Sequence, residues 1–229
     1  MTGKKNIEYA DRSWNPLTGC NIPDCAVKQR LGSCWAQKMA WRLKGRAGYD
    51  LDDPFKPTYH VDKLQDPLRW RKPRRIDCCF MGDISCMEPG WIETIIELMR
   101  FTPRHRYYLL TKNPTPLRNY KFPANAWIGT TINKRADLWR ILELEQISAR
   151  IRYLSIEPLY ERIRLHRINP KINWIIIGAQ TNPEFQPENE WIRAIIHDAE
   201  KYNIPIFMKD NLRYPSKLTE FPEGFNEHL

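Results

Sequence analysis

The sequence predicts an α/β fold with parallel strands, a (β/α) barrel or a partial TIM-like barrel, in one domain over residues 1–229. Two observations predict it. Short apolar runs alternate with helical patterns about six times, and parallel neighbours need long, usually helical, connections. Each apolar run also ends in polar residues on its C-terminal side, where parallel folds build their sites.

Residues 1–12 read as a polar tail, and Ser13 to Leu17 as a first strand stopped by Pro16 and the Thr18-Gly19 turn. Three cysteines follow. From Cys34 to about Lys44, Trp35, Ala36, Met39, Ala40 and Leu43 have helical spacing, and Gly45 offers a stop. Residues 45–75 form an irregular excursion, rich in Asp and Pro, with one short helix around Val61–Trp70. A connection this long usually carries function or packs over a site. It closes on the basic run Arg69 to Arg75.

The pattern then turns regular. Ile76–Met81 is a buried strand ending at Gly82-Asp83, and Trp91–Arg100 is a helix with Pro89 near its start. Arg106–Leu110 is a strand ending at Thr111-Lys112-Asn113. Trp127–Gly129 is another, ending at Thr130 to Asn133, and residues 134–149 form an amphipathic helix. Ile151–Ile156 ends at Glu157-Pro158, and Trp174–Ile177 at Gly178-Ala179-Gln180. Glu190–Tyr202 is a helix, and Ile204–Met208 a last strand ending at Lys209.

Lys and Arg number 36 against 27 Asp and Glu, a net charge of +9 that suits a nucleic acid or nucleotide partner. Many basic enzymes bind no polynucleotide, so charge alone does not decide. No apolar run approaches the ~18 residues of a membrane span, and no signal-peptide core follows Met1. A cytoplasmic location without membrane attachment is expected. In a reducing compartment, clustered cysteines bind metal or do redox chemistry more often than they form disulfides.

Four residues separate Cys20 from Cys25, and eight separate Cys25 from Cys34. Thiolates are ligands for iron–sulfur clusters and zinc. A cubane held by three thiolates keeps one iron open, whereas a structural zinc site closes with four ligands, the later candidates here being His60 and Cys86. Inert buried cysteines are the plain alternative, but Gly19, Pro23, Asp24, Lys28, Gln29 and Gly32 make this loop too polar for a core segment. Cys78 and Cys79 read as strand packing, and Asn15 as a brace that bonds backbone groups of the cysteine loop.

Trp14-Asn15-Pro16-x-Thr18-Gly19-Cys20, followed by Cys34-Trp35-Ala36, resembles a phage-associated three-Cys-motif family of unknown function, itself similar to the radical SAM superfamily. The likeness extends over most of the chain. It takes in Asp66-Pro67-Leu68-Arg69-Trp70-x-Lys72-Pro73-Arg74-Arg75-Ile76, Leu110-Thr111-Lys112, Ser155 to Leu159, Trp174-Ile175-Ile176-x-Gly178 and Pro205-Ile206-Phe207-x-Lys209. The departure is the spacing. The family puts its second and third cysteines two residues apart, and here an insertion, or a Cys25 that replaces a missing ligand at Leu31, must account for eight. Ser33 also stands where the superfamily has an aromatic residue.

The resemblance implies a radical-SAM-like barrel with a [4Fe–4S] cluster on Cys20, Cys25 and Cys34. Its open iron would chelate the amino and carboxylate groups of S-adenosylmethionine. Reduction by an electron donor protein would give a 5′-deoxyadenosyl radical that abstracts hydrogen from an unknown, nucleic-acid or nucleotide, substrate. Asp83 and Ser85 lie where the superfamily holds the methionine amine, although both are also common capping residues. Lys112 and Lys209 suit the cofactor carboxylate or a substrate phosphate. Glu157 can accept from ribose hydroxyls or pair with a lysine across the mouth. Thr131, Asn133 and Gln180 are candidate partners for adenine or substrate.

Two other function classes stay open. One is a non-catalytic, zinc- or cluster-stabilised nucleic-acid-binding protein. The other is a barrel hydrolase or nuclease, for which no clustered Asp, Glu and His set stands out.

Overall fold

Seven strands lie side by side in one parallel sheet, in chain order. They are β1 (Arg12–Trp14), β2 (Arg75–Cys78), β3 (Arg106–Thr111), β4 (Ala126–Thr131), β5 (Arg152–Ile156), β6 (Trp174–Ile177) and β7 (Ile206–Met208). The computed structural model describes residues 7–32, 34–165, 168 and 171–225. The first half of the expected tail, and Ser33, lie outside the described residues. β1 and β7 are the two edges, so the curled sheet is a partial barrel of TIM-like kind.

The strands after β1 are largely buried on both faces, which is why they read as apolar runs rather than alternations. On the outer face Ile76, Leu109, Leu154 and Ile175 share a core with Ile92, Ile95 and Met99 of α4 (Pro89–Phe101) and Ile192 and Ile195 of α6 (Asn189–Glu200). The inner face is aromatic, with Tyr108, Trp127, Tyr153, Trp174 and Phe207 in one cluster. Tyr9 meets Tyr108 and Trp174 edge-on, both at 5.4 Å, a geometry worth about 0.5–1.5 kcal/mol per pair beyond area burial.

Several boundaries differ from the sequence expectation. The first strand is split: Arg12–Trp14 joins the sheet, while Leu17–Thr18 pairs antiparallel with Thr58–Tyr59. Pro16, without an N–H, divides them. β2 stops at Cys78 instead of Met81, because Cys79 turns the chain with φ 61°. The helix expected over 134–149 is a 3₁₀ turn, Arg135–Asp137, followed by α5 (Trp139–Leu144). The excursion holds a 3₁₀ turn, Val61–Lys63, and a short α3 (Asp66–Arg69). Between β5 and β6, buried Ile163, Leu165, Ile168 and Ile172 join the same outer-face core.

Candidate functional site

The cysteine loop is joined to the loop after β2 through two glycines. Gly19 has φ +88°, and a Cβ on it would sit 2.0 Å from the Lys56 carbonyl oxygen. A Cβ on Gly82 would lie 2.3 Å from the Gly19 oxygen. This approach lets Gly19 N–H donate to Met81 O (3.1 Å) and Asp83 N–H donate to Gly19 O (3.1 Å). Asn15 accepts from Met81 N–H at 3.0 Å, so it braces the β2 loop rather than the cysteine loop itself.

The excursion packs over this junction. Cys20 N–H donates to Phe55 O at 3.1 Å, and His60 bonds Thr18 Oγ1 at 2.7 Å. Burial lowers the His60 pKa to about 4, so the ring is neutral, and its bond to Thr18 makes it a prop for the loop.

The three cysteines have different surroundings. Half-buried Cys20 and Cys34 border one small apolar cluster that includes Ala36, Phe55 and Met81. Cys34 caps α2 (Trp35–Arg42), its sulfur accepting from Gln37 N–H at 3.4 Å. Cys86, on the turn after β2, lies against Cys20. Interaction between the two thiols is the main cause of a raised Cys20 pKa and a lowered Cys86 pKa. Cys25 is buried at the start of α1 (Ala26–Leu31), within electrostatic reach of Arg140 and Tyr160. Among the described residues, no three His, Cys, Asp or Glu side chains converge on a single-ion position.

The long Cys25–Cys34 spacing is accounted for by α1, which crosses the C-terminal mouth of the sheet as a strap. Gln29 Oε1 accepts from Lys134 Nζ at 2.8 Å. The Arg30 guanidinium lies 4.8 Å from the Tyr160 ring centroid and 4.5 Å from that of Phe185. Lys28 reaches back to Cys20 O at 3.4 Å. The strap thus links the β1–β2 side of the mouth to the loops after β4, β5 and β6.

The strand-end groups named from sequence fall into separate local sets, in which several serve each other. Asp83 Oδ1 accepts from Ser85 N–H, Ser85 Oγ and Thr111 Oγ1, and Oδ2 from Lys112 N–H at 2.8 Å. Asp83 and Ser85 therefore tie the ends of β2 and β3 together. The Lys112 ammonium has no ion pair among the described residues. Lys209 donates to Glu157 at 2.5 Å, the pairing that sequence reading held open for Glu157. Gly178 makes room for this pair, since a Cβ there would lie 2.9 Å from Glu157 Cγ. Burial lowers the Lys209 pKa, but the Glu157 charge and hydrogen bond raise it overall.

Asn133 donates to Pro158 O at 2.7 Å, while its Oδ1 and the Thr131 hydroxyl are buried without hydrogen-bond partners among the described residues. Gln180 is taken up locally, by Tyr160 Oη and Pro183 O. Arg140, buried by α5, pairs with Asp137 at 2.9 Å and donates to Thr131 O at 2.8 Å, fixing the end of β4.

A family model described as "Protein of unknown function (DUF5131)" matches residues 4–220. The chain belongs to this family. No curated protein matches the sequence. Among solved structures, a spore photoproduct lyase complexed with a dinucleoside spore photoproduct aligns at 13% identity and a TM-score of 0.45. That alignment covers 82% of this chain, which spans only 61% of the lyase.

Sequence reading missed two features of this family member. One is the strap, whose polar residues Gln29 and Arg30 carry no local signal of their partners. The other is Asp77, buried on β2 inside the sheet, with Oδ2 unpaired. It lies among Tyr9, Tyr153, Glu157 and Lys209. Burial pushes its carboxyl pKa well up against the pull of Lys209. A lone acid inside the run Ile76–Met81 was the available signal.

Proposed function

We propose that the chain is an iron–sulfur enzyme of radical SAM type, with Cys20 and Cys34 as two thiolates of a [4Fe–4S] cluster and Cys25 as the third. The observation that carries this reading is the cysteine loop itself: it follows the first strand of a parallel sheet, and its α1 segment reaches the loops after β4, β5 and β6. Cys20 and Cys34 bordering one apolar cluster fits ligands of one group. The unpaired Thr131 hydroxyl and Asn133 carbonyl fit a polar ligand in the same mouth. Cys25 fits less directly, because its neighbours are Arg140 and Tyr160. The Cys86 thiol beside Cys20 is the competing third ligand, or a fourth that closes the site.

With S-adenosylmethionine bound, such a cluster supplies a 5′-deoxyadenosyl radical for hydrogen abstraction. The protein's own residues orient and enclose. Asp83 is held by four donors at the β2–β3 ends, so it presents a fixed carboxylate to an ammonium. Lys112 offers a cation with no ion pair among the described residues for a carboxylate or phosphate. The Glu157–Lys209 pair fronts the far side, suited to ribose hydroxyls, and the α1 strap excludes water. The substrate is a nucleotide or nucleic acid, in keeping with the net charge of +9, and an electron donor protein reduces the cluster. The second reading, a zinc- or cluster-stabilised binding protein, is favoured by one observation, the Cys20–Cys86 contact.

The deciding experiment is anaerobic reconstitution with iron and sulfide, followed by electron paramagnetic resonance of the reduced protein with and without S-adenosylmethionine. A reduced-cluster signal that shifts on adding S-adenosylmethionine is expected. Stoichiometric zinc with no cluster signal overturns the proposal. Cys20→Ala and Cys34→Ala should each lose essentially all bound iron. If Cys86→Ala loses it and Cys25→Ala does not, the third ligand is Cys86.

A further inference from the structure

Helix α2 turns an aromatic face towards solvent. At about 100° per residue, Trp35, Lys38, Trp41 and Arg42 fall within about 120° of arc, opposite buried Ala36 and Ala40. Trp35 and Trp41 are 50% and 49% exposed. A single exposed apolar side chain needs no explanation, but two large rings on one face of an eight-residue helix do. Each ring has a neighbour. Trp35 lies 4.5 Å from the Phe80 ring, centroid to centroid, and the Lys44 ammonium lies 5.3 Å from the Trp41 ring centroid.

The charge on this face is all positive. On the arc Lys38 lies between the two tryptophans and Arg42 next to Trp35, while Lys44 sits over Trp41. α2 contains no Asp or Glu. Lys38, Arg42 and Lys44 are exposed and have no carboxylate partner among the described residues. Arg46 donates to Arg42 O at 2.8 Å, which brings a fourth cation to the end of the helix. The acids nearest in sequence, Asp50, Asp52 and Asp53, belong to the turn that follows. There Asp50 is taken up by Lys56 and by the Asp52 and Asp53 amides.

We propose that the outer face of α2 binds single-stranded nucleic acid, with bases stacked on Trp35 and Trp41 and phosphates on Lys38, Arg42 and Lys44. Rings interleaved with cations suit a strand, because every base has a π-face and every linkage a charge. Two other occupants fit less well. A membrane-inserting helix keeps its apolar arc free of charge, and Lys38 interrupts this one. The core of a protein interface is depleted in lysine, which here lies between the two rings. The net charge of +9 adds long-range attraction for a polyanion. The face begins one residue after Cys34, so a bound strand lies beside the cysteine loop, but binding there needs no cluster.

The test is fluorescence anisotropy of a labelled DNA strand of about 20 nucleotides with the full chain, across a salt series. The triple variant Lys38→Ala/Arg42→Ala/Lys44→Ala should weaken binding at least about tenfold and reduce the salt slope by ~2, at ~0.7 per single-strand phosphate contact. Trp35→Leu/Trp41→Leu should weaken it at least about tenfold with the slope unchanged, because leucine keeps apolar bulk and lacks a π-face. Trp35→Phe/Trp41→Phe keeps the π-face and should stay within about threefold of the wild type. The charge-matched control Lys121→Ala/Arg193→Ala/Lys201→Ala, at exposed positions elsewhere, should change affinity less than about threefold. Both double variants keep an apolar side chain against Phe80, so they fold, and their urea midpoints check it. Equal losses in the two triple variants, or double variants that behave alike, would overturn the proposal. So would poly-glutamate or anionic phospholipid vesicles that displace the strand at equal charge, or full competition by millimolar inorganic phosphate. Because the readout needs no iron, a failed reconstitution leaves this result standing.

Discussion

The two ends of the sheet treat charge in opposite ways. At the C-terminal mouth the acidic groups have nearby donors: Asp83 has four, Asp137 holds Arg140 and Glu157 holds Lys209. At the N-terminal rim Arg104 rests on backbone carbonyls alone, and Arg71, Lys72 and Arg74 have no carboxylate partner among the described residues. Carboxylates held in this way are rigid and suit positioning, with Lys112 a mouth cation that has no ion pair among the described residues. At the other end Arg71 and Lys72 are exposed, so their charge is met by solvent and adds little rigidity. Substitution of exposed Arg71 or Lys72 should therefore leave stability alone, while mouth substitutions should change stability first.

The largest expected effect is at Gly19. Gly19→Ala meets both a positive φ and the Lys56 carbonyl at 2.0 Å, with backbone on each side of the contact. A loss of about 3 kcal/mol or more is expected in urea unfolding, since neither segment can yield without breaking the loop junction. A loss below about 0.5 kcal/mol would show that the mouth is not rigid.

Next is the Glu157–Lys209 pair, whose side chains are 24% and 14% exposed. Glu157→Gln leaves a largely buried ammonium without its carboxylate, and about 2 kcal/mol should go. The double change Glu157→Gln/Lys209→Met should cost less than the single, because it removes the stranded charge as well. If the double costs more, the pair is stabilising in its own right. The Lys209 pKa is raised, so its contribution is full below the unfolded lysine value of about 10.4 and lost as pH climbs through the folded value. Wild-type stability should fall above that pH more steeply than that of the double variant.

Acidification probes the excursion. His60 titrates at about 4 when folded and about 6.5 when unfolded, so the unfolded chain binds the proton more readily in between. Stability should decline as pH drops from about 6.5 towards 4. His60→Gln should flatten that decline while keeping a partner for Thr18. An unchanged pH profile would mean that the ring is not held neutral.

How far each end could be read from sequence follows from the range of its contacts. The strands declared themselves because apolar runs such as Trp174–Ile177 are buried on both faces. The cysteine loop declared itself through residue type. Cys79 hid the true end of β2, since nothing local announces a positive φ at a cysteine inside an apolar run. The strap was beyond local reading altogether. A six-residue helix is too short to persist on its own propensity, and its anchors are remote, Lys134 being 105 residues from Gln29. The basic run was visible, but its hold on Arg104, whose guanidinium takes the Trp70 carbonyl, depends on the sheet bringing separate strand starts to one end.

The smallest effect tests the strap directly. Arg30 is exposed, yet it lies over two rings at 4.8 and 4.5 Å, the cation–π geometry worth about 0.5–1 kcal/mol at a surface. Arg30→Ala should leave global stability within error and weaken only the hold of α1 on the far side of the mouth. Cys25, buried at the start of that helix, then becomes the reporter. Its alkylation should quicken by about two- to fivefold, the rate equivalent of that energy, while Cys78, buried in β2, stays protected. Gln29→Ala, which removes the neutral bond to Lys134, should act in the same direction and add to it. If neither change alters Cys25 while Gly19→Ala exposes it, α1 is held from the Cys20 side alone, and the mouth is closed by the loop junction rather than by a strap.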